Sequence, residues 1–435
     1  MTSPEPADLP TIAPVVDVLS DLEWRGLLAL TTDRDALAAH LAEGPVTLYC
    51  GFDPTADSLH VGSLVPLLAL RRFQLAGHRP IALAGGATGF IGDPSGRTTE
   101  RVLMTPDVVA ARVLLLRAQM ERFLDFTGSA PALLADNLDW TAGIGVLDFL
   151  RDVGKHFPVN VMLARESVSA RLESGGMSFT EFSYQLLQAL DFLELHRRFG
   201  CTLQVGATDQ WGNITAGLDY MRRVDGVSGH ALTFPLITDA AGHKLGKSTG
   251  GGNVWLDPAM TSPYALWQFL LNIDDRDAGT YLRLLTFVGR EEVEDLDRRT
   301  EEQPQSRAAQ RRLADEVVAL VHGQDEVRRV QAASAALFGA GGLAELDEAT
   351  LAAALAEAPS VRVTGAVPSF VDLFAQGLTL SKSEVRRAVR DGGAYANNVR
   401  ITDESAVPGE SDWLHGRYLV LRRGKRTVAV AERDR

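Results

Sequence analysis

The segment VTLYCGFDPTADSLHVG, residues 46–62, decides the fold class because it contains a strand, a turn and a helix start in succession. Residues 46–50 form a short β-branched and aromatic run, which is typical of a strand buried in a sheet. Apolar residues at helical spacing follow from Leu64 and stop at Gly77. This order predicts one unit of an α/β fold with a parallel sheet.

The rest of the N-terminal half repeats this alternation, so we predict a Rossmann-like sheet whose ligands bind beyond the carboxyl ends of its strands. After Pro263 the sequence becomes alanine-rich and charged, which favours short helices. The predicted organisation is an α/β domain over 1–260 with an insertion at about 125–200, a helical domain over 261–357, a linker over 358–368 and a small α+β module over 369–435.

Composition indicates a folded cytoplasmic protein. Hydrophobic residues make up 46% of the chain, and no apolar run approaches the roughly 20 residues of a membrane span. The N-terminus has neither the basic nor the apolar region of a secretory signal. The two cysteines, Cys50 and Cys201, lack metal-ligand spacing, so we expect no zinc, and because no long apolar run is present we expect no membrane partner.

Charge is distributed unevenly along an acidic chain. The net charge is −13, yet residues 367–435 contain 12 basic and 9 acidic side chains. This segment either binds RNA or has a mildly basic surface, and charge alone does not decide between them. Only five of the 43 basic residues are lysines, and Lys244 and Lys247 lie three apart, which suggests a site that needs a compact point charge.

The first candidate site is His60-Val61-Gly62, at the passage from strand to helix. Backbone N–H groups at a helix start, a glycine and an imidazole donor together suit a phosphate. A structural turn explains three residues equally well, so the motif needs its context.

Longer strings supply that context. Five of them, in order, resemble bacterial tyrosyl-tRNA synthetases, a class I aminoacyl-tRNA synthetase family. They are YCGFDPT with SLHVG (49–62), AGGATGFIGDPSG (84–96), FTEFSYQLLQ with Asp191 (179–191), GATDQWGN (206–213) and KLGKS (244–248).

The resemblance implies activation of L-tyrosine by ATP, followed by transfer to the terminal adenosine of tRNA(Tyr). It implies that His60 meets the reacting phosphate and that Lys244, Lys247 and Ser248 hold the leaving pyrophosphate. ATP enters as a substrate with Mg²⁺, which we expect to be held mainly by the phosphates, and no tightly bound cofactor is expected.

The resemblance also implies a tyrosine pocket. Tyr49 and Asp191 would both hydrogen-bond to the phenolic hydroxyl. An Asp carboxylate accepts a hydrogen bond from such a hydroxyl, and a Tyr can donate one to it. Without the strings, an aromatic core residue and an exposed carboxylate explain these two equally well. The other substrate contacts would be Asp93, Tyr184, Gln188 and Gln210.

ATP would meet a third set. It comprises Gly51, Asp53, Thr55, His60, Gly62, Gly206, Asp209 and Lys247. Asp209 is equally explained as a helix N-cap. Two residues depart from the family pattern: Ser63 stands where many relatives have histidine or asparagine, and Arg97 where they often have lysine.

The C-terminal module resembles the alpha-L RNA-binding module of this family. It implies that Lys382, Arg386, Arg387 and Arg390, on one predicted helix, contact tRNA; an ordinary surface helix is the alternative. GKHFPVN (154–160) resembles the dimer interface of the family, so a homodimer is expected.

Three other functions remain to be weighed. A tryptophanyl-tRNA synthetase should lack the Tyr49/Asp191 pair and the alpha-L module. A non-catalytic RNA-binding relative would have lost His60 or the paired lysines. A generic nucleotidyltransferase needs no tyrosine pocket.

Overall fold

We describe the protein from a computed structural model. The structure describes residues 15, 17–95, 103–238, 242, 252–338, 342–356, 358–424 and 427–434.

The N-terminal half contains a six-stranded sheet in the order β1-β6-β5-β2-β3-β4. Its strands are β1 (Leu30–Thr31), β2 (Thr47–Phe52), β3 (Arg79–Ala84), β4 (Leu133–Asp136), β5 (Cys201–Ala207) and β6 (His230–Phe234). Only the short β1 pairs antiparallel within this sheet; the other neighbours are parallel. Because β2 lies between β3 and β5, the strand order reverses there, and a ligand crevice is expected at that point.

Helices connect these strands as the apolar periodicity predicts. They are α1 (Val18–Arg25), α2 (Arg34–Ala42), α3 (Leu64–Leu75), α4 (Thr88–Ile91), α5 (Pro106–Met120), α6 (Leu138–Thr141), α7 (Val146–Asp148), α8 (Val159–Leu163), α9 (Glu166–Ser174), α10 (Phe179–Phe199) and α11 (Trp211–Asp225). A 3₁₀ turn, Val61–Ser63, leads into α3. The α/β class predicted from residues 46–62 is therefore observed.

Within the described residues six helices follow, as the alanine-rich composition predicts. They are α12 (Pro263–Leu271), α13 (Asp275–Leu285), α14 (Arg290–Glu302), α15 (Ala308–His322), α16 (Gln324–Leu337) and α17 (Glu348–Leu355).

The C-terminal module has a five-stranded sheet and two helices around its own apolar core. The strand order is β7-β11-β10-β8-β9. The elements are β7 (Ser360–Val363), α18 (Phe370–Gly377), α19 (Lys382–Arg390), β8 (Ala394–Ala396), β9 (Val399–Arg400), β10 (Tyr418–Arg423) and β11 (Thr427–Arg433).

Contacts divide the chain into two compact units, and this division differs from the predicted boundaries. Met1–Met260 and Asn272–Leu313 form the first, while Thr261–Leu271 and Ala314–Arg435 form the second. The predicted helical domain is thus shared between the two units. Residues 360–363, inside the predicted linker, form β7. They pair with β11, and their side chains are alternately exposed and buried, as in a strand with one face on the core.

One buried arginine anchors α3, the helix that begins at the His60 turn. Arg72 donates to the carbonyl oxygen of Thr286 at 2.5 Å and pairs with Asp21 of α1 at 3.3 Å. Burial lowers the pKa of the Arg72 guanidinium to about 9. The cluster fixes α3 against α1 and the turn after α13, all within the first unit.

Candidate functional site

A cavity of about 400 Å³ opens where the carboxyl ends of β2 and β5 meet, at the expected crevice. Every described residue that the sequence assigned to tyrosine or ATP lines it. They are Tyr49, Gly51, Asp53, Thr55, His60, Gly62, Asp93, Tyr184, Gln188, Asp191, Gly206, Asp209 and Gln210.

Two buried polar side chains lie close together in this cavity. Tyr49, on β2, is 1% exposed, and its hydroxyl has no hydrogen-bond partner in the described structure. Asp191, on α10, is 2% exposed, and its carboxylate is among the charges that act on Tyr49. Burial is the main cause that raises the pKa of Tyr49 well above its usual value, so the hydroxyl keeps its proton.

Asp191 is held by two donors from the segment after β4. Asn137 Nδ2 donates to one carboxylate oxygen and Trp140 Nε1 to the other, each at 2.9 Å. Burial raises the pKa of Asp191 to about 7, although these two hydrogen bonds act in the opposite direction. The carboxyl group therefore titrates near neutral pH.

A second cluster centres on Asp53, just after β2. Its carboxylate accepts from the hydroxyl of Thr88 at 2.6 Å and from that of Tyr184 at 2.9 Å. A Cβ on Gly85 would lie 2.1 Å from Asp53 Oδ1, so a glycine is required there. The sequence assigned Asp53 to ATP; the structure engages its carboxylate with two side chains of the protein instead, and the ATP contact stays a prediction.

The third cluster joins Asp93 to the turn after β5. Gln210 Nε2 donates to Asp93 Oδ2 at 2.6 Å, and the N–H of Ser95 donates to Oδ1 at 3.0 Å. Gln188, one turn after Tyr184 on α10, has a side-chain oxygen that is buried and without a partner. Carboxylate and amide oxygens are acceptors for an ammonium group.

His60 is oriented by its own turn. Its Nδ1 accepts from the N–H of Gly62 at 3.0 Å, so in the neutral ring the proton is on Nε2, which becomes the donor. The N–H groups of Val61 and Ser63 donate to the carbonyl oxygens of Val254 and His60. The backbone N–H groups of residues 61–63 therefore already have acceptors within the protein, and the predicted phosphate contact at this helix start stays a prediction.

Comparison with known proteins agrees with this geometry. The profile of the family "tRNA synthetases class I (W and Y)" matches residues 41–339, and that of the "Tyrosine--tRNA ligase SYY-like C-terminal domain" matches residues 350–431. The chain belongs to this class I tRNA synthetase family.

Its similar relatives include a Streptomyces coelicolor protein named Tyrosine--tRNA ligase, which is 60% identical over 96% of this chain and 99% of its own. A C-terminally truncated mitochondrial tyrosyl-tRNA synthetase from Aspergillus nidulans is 32% identical, with a TM-score of 0.65 over 72% of this chain and 92% of that one. A tryptophanyl-tRNA synthetase from Encephalitozoon cuniculi has a TM-score of 0.52 over 72% of this chain and 91% of its own, at 15% identity, and so shares the fold alone.

Part of the synthetase signature lies outside the described residues. Lys244, Lys247 and Ser248, predicted to hold pyrophosphate, belong to that part, as does Arg97. Ser63, the other departure, lines the cavity and precedes α3 without capping it through its side chain.

Sequence reasoning missed four polar residues of this synthetase site: Thr88, Asn137, Trp140 and Gln204. Asn137 had a usable signal, because it directly follows β4 at the carboxyl end of a parallel strand. Gln204, on β5 beside Tyr49, lines the cavity with a buried side-chain oxygen that has no partner. Thr88 lies inside the AGGATGFIGDPSG string but was given no role, and nothing local marks Trp140, whose partner comes from a distant segment.

Helix α19 presents the four basic residues assigned to tRNA. It begins with a full capping box between Ser381 and Glu384, and its apolar face is buried. Arg386 and Arg390 share Glu404, at 3.7 and 3.3 Å. Such exposed ion pairs are weak, so both arginines can exchange Glu404 for phosphate. The exposed basic set is Lys382, Arg386, Arg387 and Arg390.

The insertion before α10 exposes apolar side chains. Leu147 is 80% exposed and Phe179 is 74% exposed, and others on α7, α8 and the turn between them are also exposed. They are Val146, Leu150, Val159, Val161 and Leu163. Contiguous exposed apolar side chains are typical of an interface between proteins.

Two features are absent from the described ranges of the chain. No three His, Cys, Asp or Glu side chains there are grouped to hold a metal ion. No helix there combines the length and apolar character that a membrane crossing requires.

Proposed function

We propose that the protein is a tyrosine--tRNA ligase. It joins L-tyrosine to ATP, giving tyrosyl-adenylate and pyrophosphate, and then transfers tyrosine to the terminal adenosine of tRNA(Tyr). The observation that carries this proposal is the Tyr49 hydroxyl, buried without a partner in the vicinity of the Asp191 carboxylate.

The phenol of tyrosine satisfies both groups. Its hydroxyl donates to Asp191 and accepts from Tyr49, so the buried hydroxyl gains the partner that it lacks. Phenylalanine and tryptophan place no hydroxyl there, so each would leave the buried Tyr49 hydroxyl unsatisfied, at about 1–3 kcal/mol, and would make no hydrogen bond to the Asp191 carboxylate. The tryptophanyl alternative is therefore disfavoured by this pocket.

The amino-acid end of tyrosine is proposed to bind at the second and third clusters. Tyr184, Gln188, Asp93 and Gln210 provide oxygen acceptors around the α-ammonium group. Asp53 orients Tyr184, because its Oδ2 accepts a hydrogen bond from the Tyr184 hydroxyl at 2.9 Å. The tyrosine carboxylate is then proposed to face the part of the cavity lining that includes His60 and Thr55.

Adenylation needs no protein base, because the attacking carboxylate is already ionised. A carboxylate oxygen forms a bond to the α-phosphorus, and the bond from that phosphorus to the bridging oxygen breaks, releasing pyrophosphate. His60 Nε2–H stabilises the charge that builds on the phosphate. Gly51, Thr55, Gly62, Gly206 and Asp209 are the proposed contacts of the nucleotide.

The resemblance to the family supports the remaining roles. Lys244, Lys247 and Ser248 hold the leaving pyrophosphate. Mg²⁺ enters as part of the ATP substrate, held by its phosphates. Lys382, Arg386, Arg387 and Arg390 hold the tRNA backbone.

We further propose a cytoplasmic homodimer. The exposed apolar side chains of residues 146–163 and Phe179 support a second copy as the occupant of this surface. They belong to the segment that contains GKHFPVN, which resembles the dimer interface of the family.

The test is ATP–pyrophosphate exchange with each of the twenty amino acids, followed by charging of tRNA(Tyr). Wild type is compared with Asp191→Ala and Lys247→Ala. Exchange with tyrosine alone, weakened by both changes, supports the proposal. Equal exchange with tryptophan, or tRNA binding without exchange, contradicts it.

A further inference from the structure

Helix α9 does not line the cavity, yet two arginines connect it to the first turns of two helices that do. Arg171 Nη2, near the end of α9, lies 2.6 Å from Oε2 of Glu181 in the first turn of α10. Arg165, just before α9, donates to the carbonyl oxygen of Gly212 and, at 3.2 Å, to Thr215 Oγ1, both at the start of α11. One short helix therefore holds the beginnings of α10 and α11.

Glu181 gives up a local role to make its contact. Ser178 accepts from the N–H of Glu181 at 3.2 Å, which is one half of a capping box. In the other half the Glu181 carboxylate would accept from the Ser178 N–H, as Glu384 does for Ser381 in α19. Instead it pairs with Arg171.

The pair is also deeply buried. Glu181 is 2% exposed and Arg171 is 4% exposed. Desolvating two charges costs free energy that a solvated capping box does not, and such pairs contribute to the position of elements more than to stability. The geometry therefore favours a positioning role over a purely stabilising one.

We propose that α9 is a brace for the ammonium end of the tyrosine pocket, with Arg165 and Arg171 as positioning residues. The inference rests on the proposed tyrosine ligase function. Glu181 lies one turn before Tyr184 and two turns before Gln188 on α10. Arg165 holds the turn that directly follows Gln210, which in turn hydrogen-bonds to Asp93 at 2.6 Å.

The phenol end of the pocket is outside the reach of the brace. Asp191 lies ten residues after Glu181, about 15 Å along the helix. Its carboxylate is fixed independently by Asn137 and Trp140. A change in the brace should therefore affect recognition of the ammonium group and leave phenol recognition intact.

Two inhibitors separate the ends of the pocket. Tyramine has the phenol and the ammonium group, whereas 3-(4-hydroxyphenyl)propionate has the phenol and no ammonium group. Each is titrated as a competitor of tyrosine in ATP–pyrophosphate exchange by the full-length protein. The variants are Arg171→Met and Arg165→Met, with Arg222→Met as control, because Arg222 makes an exposed ion pair on α11.

In both brace variants we expect the KM for tyrosine and the inhibition constant of tyramine to rise at least about tenfold, because small displacements of positioning groups are costly. The inhibition constant of the propionate stays unchanged in both variants, and the KM for ATP stays unchanged in Arg171→Met. Arg171→Lys keeps the charge and restores most of the loss. Glu181→Gln, which keeps the shape of the side chain, provides the same test if Arg171→Met does not fold.

Two results overturn the brace. Tyramine inhibition could be unchanged in variants that fold, or both inhibitors could weaken equally, which would indicate a general loss of structure. Failure of wild type to exchange with tyrosine would instead overturn the proposed function, so the two failures are distinguishable.

Discussion

At the residue scale, Asp191 combines burial with a position beside a second polar group. Its two donors favour the carboxylate, yet burial still raises its pKa to about 7. The protonation state of this one side chain therefore changes within the physiological range, and tyrosine binding should change with it.

We predict that the KM for tyrosine rises as pH falls through about 7. Below that pH Asp191 of the free enzyme is protonated, and the phenol meets a neutral carboxyl group, a weaker acceptor than the carboxylate, so tyrosine binding weakens in acid. The measurement is KM against pH in ATP–pyrophosphate exchange. Asp191→Asn should bind tyrosine weakly with a flat profile, and an unchanged slope in that variant would contradict the assignment.

Trp140→Phe provides a second arm of this measurement. It removes the N–H donor to Asp191 while keeping an aromatic ring, and a hydrogen bond to a charged group contributes about 1.5–3 kcal/mol. The pKa of Asp191 should therefore rise, and the increase in KM for tyrosine should begin at a higher pH than in wild type. A shift to lower pH would show that Trp140 does not stabilise the carboxylate.

The role of a residue in the cavity was predictable only where that residue belongs to one of the five sequence strings that resemble the family. Tyr49 and Asp191 were assigned from the sequence, and both line the cavity. Asn137 and Trp140 were not, because the sequence contains no sign that a segment about 50 residues before Asp191 would fold over its carboxylate. Long-range hydrogen bonds of this kind have no periodicity to reveal them.

At the element scale, the turn between β3 and α4 depends on close approach of the backbone to carboxylates. A Cβ on Gly85 would meet Asp53 Oδ1 at 2.1 Å and Thr88 Oγ1 at 2.5 Å, and one on Gly86 would meet Asp136 Oδ1 at 2.1 Å. An alanine at position 85 would therefore require the side chains of Asp53 and Thr88 to move.

We predict that Gly85→Ala lowers tyrosine activation at least about tenfold, because it displaces Asp53 and so the Tyr184 hydroxyl. The measurement is kcat/KM for tyrosine in ATP–pyrophosphate exchange. Gly143→Ala is the matched control, since a Cβ there meets nothing within 4 Å. Equal activity of the two variants would contradict the role given to the Asp53 cluster.

The sequence predicted which segments form helices better than which segments pair as strands. The helical spacing that begins at Leu64 and stops at Gly77 predicted α3, which is observed at Leu64–Leu75. Residues 360–363 were taken for a linker because four residues with no flanking pattern do not indicate a strand. Their partner β11 is more than 60 residues later in the chain, so only tertiary pairing defines them.

At the scale of the whole molecule, the basic face of α19 belongs to an acidic protein of net charge −13. Its four basic residues are exposed, and two of them share Glu404. Concentrating basic side chains on one helix lets the module attract a phosphate backbone while the rest of the surface repels it.

Arg386→Glu with Arg390→Glu should raise the KM for tRNA in aminoacylation and leave pyrophosphate exchange unchanged. The logarithm of the tRNA binding constant falls linearly with the logarithm of the salt concentration. Each lost phosphate contact should make this slope less steep by about one unit. Arg362→Glu is the control, since Arg362 is exposed on β7 of the same module. A similar loss in the control would indicate only a general charge effect.

Leu147→Asp should convert the proposed dimer to a monomer, because it puts a charge into an apolar interface. Sedimentation equilibrium of the full-length protein measures the mass. Val399→Asp, at another exposed apolar residue, should leave the dimer intact. A wild-type mass of about 47 kDa at all concentrations would contradict the dimer.

The central claim is that the buried Tyr49–Asp191 pair selects a phenolic hydroxyl, and the ratio of kcat/KM for tyrosine over phenylalanine tests it most directly. Leaving the Tyr49 hydroxyl unsatisfied costs about 1–3 kcal/mol, and losing the hydrogen bond of the phenol to the Asp191 carboxylate costs about 1.5–3 kcal/mol, which together predict a wild-type ratio of at least about 100. Tyr49→Phe, which removes the unpartnered hydroxyl, should lower that ratio while keeping tyrosine the preferred substrate. A wild-type ratio near one, or a ratio that Tyr49→Phe leaves unchanged, would contradict the account.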